Sequence, residues 1–241
     1  MVGFLSDVGM VRSLNEDYLC YYESDEFSIY VVADGMGGHN AGEVASKMAA
    51  EGIIDFMKKY FNKNCCINIL RDAISYVNSE IYNLSLKDSS MRGMGTTVTA
   101  CLQISEKVIV ANVGDSSCFG LKGNQITKIT KDHSLVQELV DLGTITEDEA
   151  ANHPKKNIIT RAVGTGDIVN TDIFVIEKGT YDIYLLCSDG LTNEVTRDEI
   201  VSVISENKEF DNICDKLVTL AKDKGGRDNI TVLLFGGEVV W

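Results

Sequence analysis

Two apolar patterns alternate along the chain. Short runs at 27–33, 96–102, 108–113, 117–121, 181–187 and 230–235 are rich in β-branched and aromatic residues. They are apolar at nearly every position, which predicts strands buried on both faces. Gly123-Asn124 lies between two apolar stretches and predicts a tight hairpin over 117–129. The longer segments follow the helical period instead. Across Ala41–Tyr60 the apolar or small residues fall at 41, 44, 45, 48, 49, 52, 53, 56 and 57, one stripe of an amphipathic helix. Across 67–84 they fall at 67, 70, 74, 77, 81 and 84, again a single stripe. Ile213, Leu217, Leu220 and Ala221 predict a third long helix, and Thr196-Arg197-Asp198-Glu199 has capping-box spacing for a helix ending near Glu206. The segment 143–166 follows neither period and contains the one proline, Pro154. A loop of that length in a compact domain is usually functional or mobile.

Helices come in pairs and strands in meanders, so a strict βαβ repeat is not expected. The order predicts an α+β fold of antiparallel sheets with helices packed outside. No linker-like stretch divides the 241 residues, and a single domain over 1–241 is expected. The net charge of −14 argues against a general nucleic-acid binder, though metal ions can reverse the local field for an anionic phosphate. The seven cysteines show no repeated C-x-x-C and read as reduced, mostly buried thiols. Residues 1–17 carry Asp7, Arg12, Glu16 and Asp17, unlike a signal peptide, and no run reaches the ~18 apolar residues of a membrane span. A cytoplasmic protein away from membranes is expected.

The chemistry sits where apolar strands run into aspartates. YVVAD places Asp34 before Gly35, VIVANVGD places Asp115, YLLCSD places Asp189 before Gly190, and GGRDN places Asp228 ahead of the last strand. A carboxylate at a strand end is positioned by a rigid sheet while its head stays outside the core. Any one Asp-Gly is also an ordinary turn. If the strand ends meet, however, the carboxylates repel one another unless a cation lies among them. All-oxygen ligands select Mg²⁺ or Mn²⁺ over Zn²⁺. Arg12-x-x-Asn15-Glu16-Asp17 combines a guanidinium fork suited to phosphate with carboxylates able to hold water, or is a charged surface turn. Gly35-Met36-Gly37-Gly38 allows close approach of a backbone carbonyl to a cation and lacks nucleotide-binding spacing.

Taken together these blocks resemble the type 2C metal-dependent protein serine/threonine phosphatases, in their compact bacterial form. The resemblance runs in order through SDVGMVRSLNED, VVADGMGGHNAGEVAS, GMGTTVTA, NVGDSS, KDHSLVQELVDLG, HPKKNIITRAVG, LLCSDGLTNEV and GGRDNITVLL. It implies a four-layer sandwich, two antiparallel sheets with a helical layer on each outer face, and a cleft at one edge. It also implies roles. Asp34 would bridge two Mn²⁺ or Mg²⁺ ions, the Gly35 carbonyl would ligate one, and Asp189 with Asp228 would hold the other. Asp115, with Asp189, would form a weaker third site. Glu16 and Asp17 would order metal-bound water, Arg12 would grip the substrate phosphate, and 143–166 would be a flap. The implied reaction is direct attack of a metal-bridging water on phosphoserine or phosphothreonine, by a monomer that reverses a serine/threonine kinase. Some relatives carry a histidine two residues after the bridging aspartate; here that residue is Met36, which leaves no assigned general acid, with His39 nearby in sequence.

Overall fold

The computed structural model describes residues 1–37, 41–62 and 66–237, with backbone only for 66 and 67. His39, Cys65 and the Cys66 side chain therefore lie outside the described residues. In chain order the elements are β1 (Val2–Asp7), β2 (Asp17–Glu23), β3 (Ser28–Met36), α1 (Ala41–Tyr60), α2 (Cys66–Lys87), a 3₁₀ turn (Ser89–Met91), β4 (Gly95–Thr96), β5 (Val98–Gln103), β6 (Lys107–Val113), β7 (Ser117–Lys122), β8 (Gln125–Lys128), α3 (Leu135–Asp141), α4 (Glu147–Ala151), β9 (Asp172–Glu177), β10 (Ile183–Cys187), α5 (Asp189–Thr192), α6 (Arg197–Ser205), α7 (Phe210–Asp223) and β11 (Ile230–Gly236). One sheet has the order β1-β11-β10-β7-β8; the other runs β2-β3-β5-β6-β9, with β4 beside β3. The pairings are antiparallel.

The strand period of two explains the layering. On β3, Ile29, Val31 and Ala33 pack with α1 and α2, while Tyr30 and Val32 point into the space between the sheets. On β11, Ile230, Val232 and Leu234 pack with α6 and α7, while Leu233 and Phe235 point inward. A strand covered on both faces has no polar side to alternate with, hence the continuous apolar runs. The result is the expected four layers. The Tyr30 and Phe235 rings stack across the inter-sheet space at 3.8 Å between centroids.

The helix over Ala41–Tyr60 forms as predicted, and the Thr196–Glu199 capping box is made in both directions. The predicted hairpin forms with Gly123 at φ +55° in its turn. The structure corrects other boundaries. The 96–102 run divides at Thr97 into β4 and β5, and β3 continues through Asp34 and Gly35 to Met36. Strands β1, β2 and β9 have no counterpart among the predicted runs. Each lies at a sheet edge, where exposed positions such as Phe4, Tyr21 and Val175 interrupt the apolar pattern. The segment 143–166 contains α4, opened by a Thr146–Glu149 capping box, and is pinned toward its C-terminal end by bridges Ser134–Ile159 and Thr96–Val163. Among the described cysteines, Cys20, Cys101, Cys118, Cys187 and Cys214 are free thiols. No helix among the described residues is long and apolar enough to cross a membrane.

Candidate metal centre and active site

The register of β2 on β3 sets Asp17 directly opposite Asp34. Asp34 is held through its backbone on both sides: its N–H donates to Thr97 Oγ1 (2.9 Å), and its carbonyl accepts from the Thr97 N–H (2.8 Å) and from Thr96 Oγ1 (2.9 Å). Thr97 Oγ1 also bonds Ser116 Oγ at 2.8 Å, tying the Asp34 strand to the turn that carries Asp115. Asp189 opens α5 directly after β10, and Asn193 donates to its Oδ2 at 2.9 Å. Asp228 precedes β11 and accepts from Arg12 Nη2 at 2.8 Å.

Asn229 locks the N-terminal segment onto this corner. Its Oδ1 accepts the Glu16 N–H (2.8 Å), while its Nδ2 donates to the Val8 and Leu14 carbonyls (3.0 and 2.9 Å). Gly35 must be glycine by space alone: a Cβ there would stand 2.2 Å from the Gly42 carbonyl and 2.5 Å from that of Glu16. A Cβ on Gly42 would meet Glu16 Oε1 at the same short range, so the helix α1 start is cut away around the Glu16 carboxylate.

These carboxylates share one field. Burial, then repulsion from Asp17, Asp189, Asp115 and Asp228, pushes the Asp34 pKa well up. Burial first, and neighbouring aspartates with it, raise Asp17 to about 7, Asp115 to about 8 and Asp189 to about 6. Burial also raises Glu16. Asp17 keeps one oxygen on Ser188 Oγ (2.7 Å), yet its Oδ1 and Glu16 Oε1 are buried with no hydrogen-bond partner. A buried acceptor left unpaired is costly unless something positive meets it. Among the described residues no three side chains are gathered closely enough to grip one ion as they stand. The fit therefore rests on the donor set, which is hard oxygen, mutually repelling and partly unpaired, and which suits Mg²⁺ or Mn²⁺.

All the aspartates singled out in the sequence converge here, from segments far apart in the chain. Arg12 reaches the cluster with its guanidinium on Asp228, and its side chain is 49% exposed. The described histidines lie elsewhere. His133 Nδ1 accepts the Gly114 N–H at 3.0 Å, one residue before Asp115, and its Nε2 faces Asp172 Oδ2 at 3.2 Å. Asp172 also accepts from Arg161 at 2.7 Å. His153 Nδ1 accepts the Lys155 N–H within the segment 143–166. Sequence reasoning missed Thr97, Ser188, Asn229, His133 and Arg161. Each lies in or beside a quoted block, but its role is a hydrogen bond to a distant segment, which no spacing reveals.

A family model described as Protein phosphatase 2C matches residues 11–234. The serine/threonine phosphatase stp of Listeria welshimeri is 42% identical over 235 residues, 96% of this chain and 93% of that protein. Protein phosphatase PhpP of Streptococcus pneumoniae is 36% identical over 239 residues, 97% and 96% of the two chains. The crystal structure of serine/threonine phosphatase Stp1 from Staphylococcus aureus superposes with a TM-score of 0.93 at 36% identity, covering 99% of this chain and 95% of that one. With the fold, the converging aspartates and these likenesses in agreement, the chain belongs to the protein phosphatase 2C family.

Proposed function

We propose that this chain is a metal-dependent phosphatase that hydrolyses phosphoserine and phosphothreonine in proteins, acting as one catalytic domain over 1–241. The observation that carries the reading is the convergence of Asp17, Asp34, Asp115, Asp189 and Asp228 on one field, in a chain of this family. Asp34, the Gly35 carbonyl, Asp189 and Asp228 would hold two Mn²⁺ or Mg²⁺ ions, and Asp115 with Asp189 a weaker third. Such ions supply an acidified water and offset negative charge on phosphoryl oxygens.

The protein's own groups do the rest. Glu16 and Asp17 each keep a buried oxygen free to orient water. Arg12 gives one guanidinium nitrogen to Asp228 and keeps the others for the substrate phosphate. Sheet-anchored backbone at Asp34 fixes the geometry before substrate arrives, which is the preorganisation phosphoryl transfer requires. With His133 bound to Gly114 and Met36 unable to give a proton, water ordered by these carboxylates protonates the leaving alkoxide in this scheme. The substrates would be phosphoproteins made by a serine/threonine kinase, met by a cytoplasmic monomer.

The test is phosphate release from a phosphothreonine peptide with excess Mn²⁺. Turnover that disappears with EDTA and in Asp34→Asn is expected. Equal rates for the native protein and that variant would end the enzyme reading.

A further inference from the structure

A groove of about 970 Å³ includes Asp115 and Asp189 of the candidate metal centre in its lining. One wall is the flap, from Ser134 through α3 and α4 to Lys156; the other is β8 and the α5–α6 corner. Ile126, Val136 and Val195 give it apolar surface. The flap turn that carries Lys156 is anchored: the Lys156 N–H donates to the His153 carbonyl (3.1 Å), the Leu135 N–H to that of Ile158 (2.8 Å) and the Thr160 N–H to that of His133 (2.8 Å).

The lysines along this groove differ in one respect. Lys128 is committed to Asp132 at 2.6 Å and Lys131 to Asp141 at 2.6 Å. Lys156 has no acidic partner within ion-pair distance among the described residues, and its charge, with that of Arg12, is felt at Asp189. Glu147 and Asp148 on α4 and Arg197 on α6 also line the groove without an ion pair, but of these charges it is Lys156 that lies against the Asp189 side of the groove, where its charge acts. In a chain of net charge −14, an acidic peptide meets general repulsion, so an uncommitted ammonium on the Asp189 side of the groove gives its carboxylate a local attraction.

We propose that this groove holds the polypeptide flanking the phosphorylated residue, and that Lys156 selects substrates with an aspartate or glutamate next to that residue. The inference rests on the phosphatase reading and adds a sequence preference to it. Lys156 acts on the substrate's carboxylate rather than on the phosphate, which falls to Arg12 and the cations. The carboxylate lies against the ammonium while the peptide's aliphatic groups cover the apolar wall.

The experiment compares two phosphothreonine peptides that differ only in carrying Asp or Lys beside the phosphothreonine, with p-nitrophenyl phosphate as a substrate that has no flanking chain. The readout is the ratio of kcat/KM for the two peptides within each protein, which cancels any shared loss in metal affinity or folding. The native protein favours the Asp peptide. Lys156→Ala lowers that ratio about threefold and Lys156→Glu about tenfold, as expected for a solvent-accessible ion pair removed or reversed. Lys156→Arg keeps the native ratio. A ratio that stays within twofold across all four proteins overturns the proposal. So does a loss on p-nitrophenyl phosphate equal to the loss on both peptides, since that would place Lys156 on the phosphate. If the native protein with excess Mn²⁺ cleaves neither peptide, the phosphatase reading itself fails and the groove's role with it.

Discussion

Strand β3 carries two regions of opposite character within a few residues. At Tyr30 and Val32 it lies in the space between the sheets, with the Tyr30 ring on Phe235 and the apolar neighbours fully enclosed. At Asp34, on the same strand, burial meets four other carboxylates and raises the pKa well above its usual value. The first region gains from every contact it makes. The second stores unfavourable electrostatics that protons or cations relieve. Being buried is thus not in itself stabilising: the middle of the sandwich holds the strand in place so that its end can hold a poor local arrangement ready for chemistry.

The widest gap between the two regions should appear in activity. Asp189→Ala or Asp228→Ala should reduce kcat on a phosphopeptide by about ten-thousandfold or more, since either removes a ligand group on which charge stabilisation depends. Asp34→Asn should abolish activity similarly, yet in EDTA at neutral pH it should raise the urea midpoint, because the amide is neutral without the proton that the buried carboxyl must take up on folding. A urea midpoint for Asp34→Asn in EDTA well below that of the native protein would show that the two regions are not opposed in sign. The inter-sheet region should respond the other way. Phe235→Ala, which empties the stack between Tyr30 and Tyr184, should cost about 3–5 kcal/mol in a urea titration. Metal-binding affinity per folded molecule should be untouched.

How far each region could be read from the sequence follows the same division. The inter-sheet strands are legible because enclosure on both faces leaves continuous apolar runs, as at 230–235. The edge strands β1 and β2 are not, because Phe4 and Tyr21 sit 47% and 40% exposed among polar residues and the pattern loses its contrast. The aspartates are visible as residues that follow strands, but nothing local says that Asp17 will face Asp34 or that Asp228 will meet Arg12. The order of blocks shared with a family implied a common metal site for the aspartates, but neither of these two pairings. The anchors stayed hidden because a bond such as Glu16 N–H to Asn229 Oδ1 joins residues 213 positions apart.

The stored repulsion also predicts how stability depends on pH. Asp17, Asp115 and Asp189 titrate in the fold at about 7, 8 and 6, against about 3.9 in an unfolded chain. Between those limits the folded form binds more protons than the unfolded, so stability falls as pH rises. In EDTA the urea midpoint should therefore decline from about pH 4 to about pH 8 and level off above. Excess Mn²⁺ binds the ionised cluster and should flatten that decline, adding about 2.7 kcal/mol at a hundredfold excess over its Kd. A midpoint in EDTA that rises over the same interval would contradict the shared field.

Thr97 stands on the boundary between the regions and should give the smallest change. Its hydroxyl accepts the Asp34 N–H and bonds Ser116, so it joins the buried strand to the Asp115 turn with no charge of its own. Thr97→Val keeps the shape and β-branching but leaves a buried N–H without its acceptor, which costs about 1–2 kcal/mol. If Asp34 is held mainly by sheet packing, kcat should fall only a few-fold beside that loss. If the hydroxyl is what aims the aspartate, kcat should instead fall by two orders of magnitude or more at the same stability cost. Thr97→Ser, which keeps the hydroxyl and loses the methyl, separates these cases: native kcat in Thr97→Ser beside a low kcat in Thr97→Val assigns the aim to the oxygen, and a low kcat in Thr97→Ser beside a near-native kcat in Thr97→Val assigns it to the packing of the methyl group.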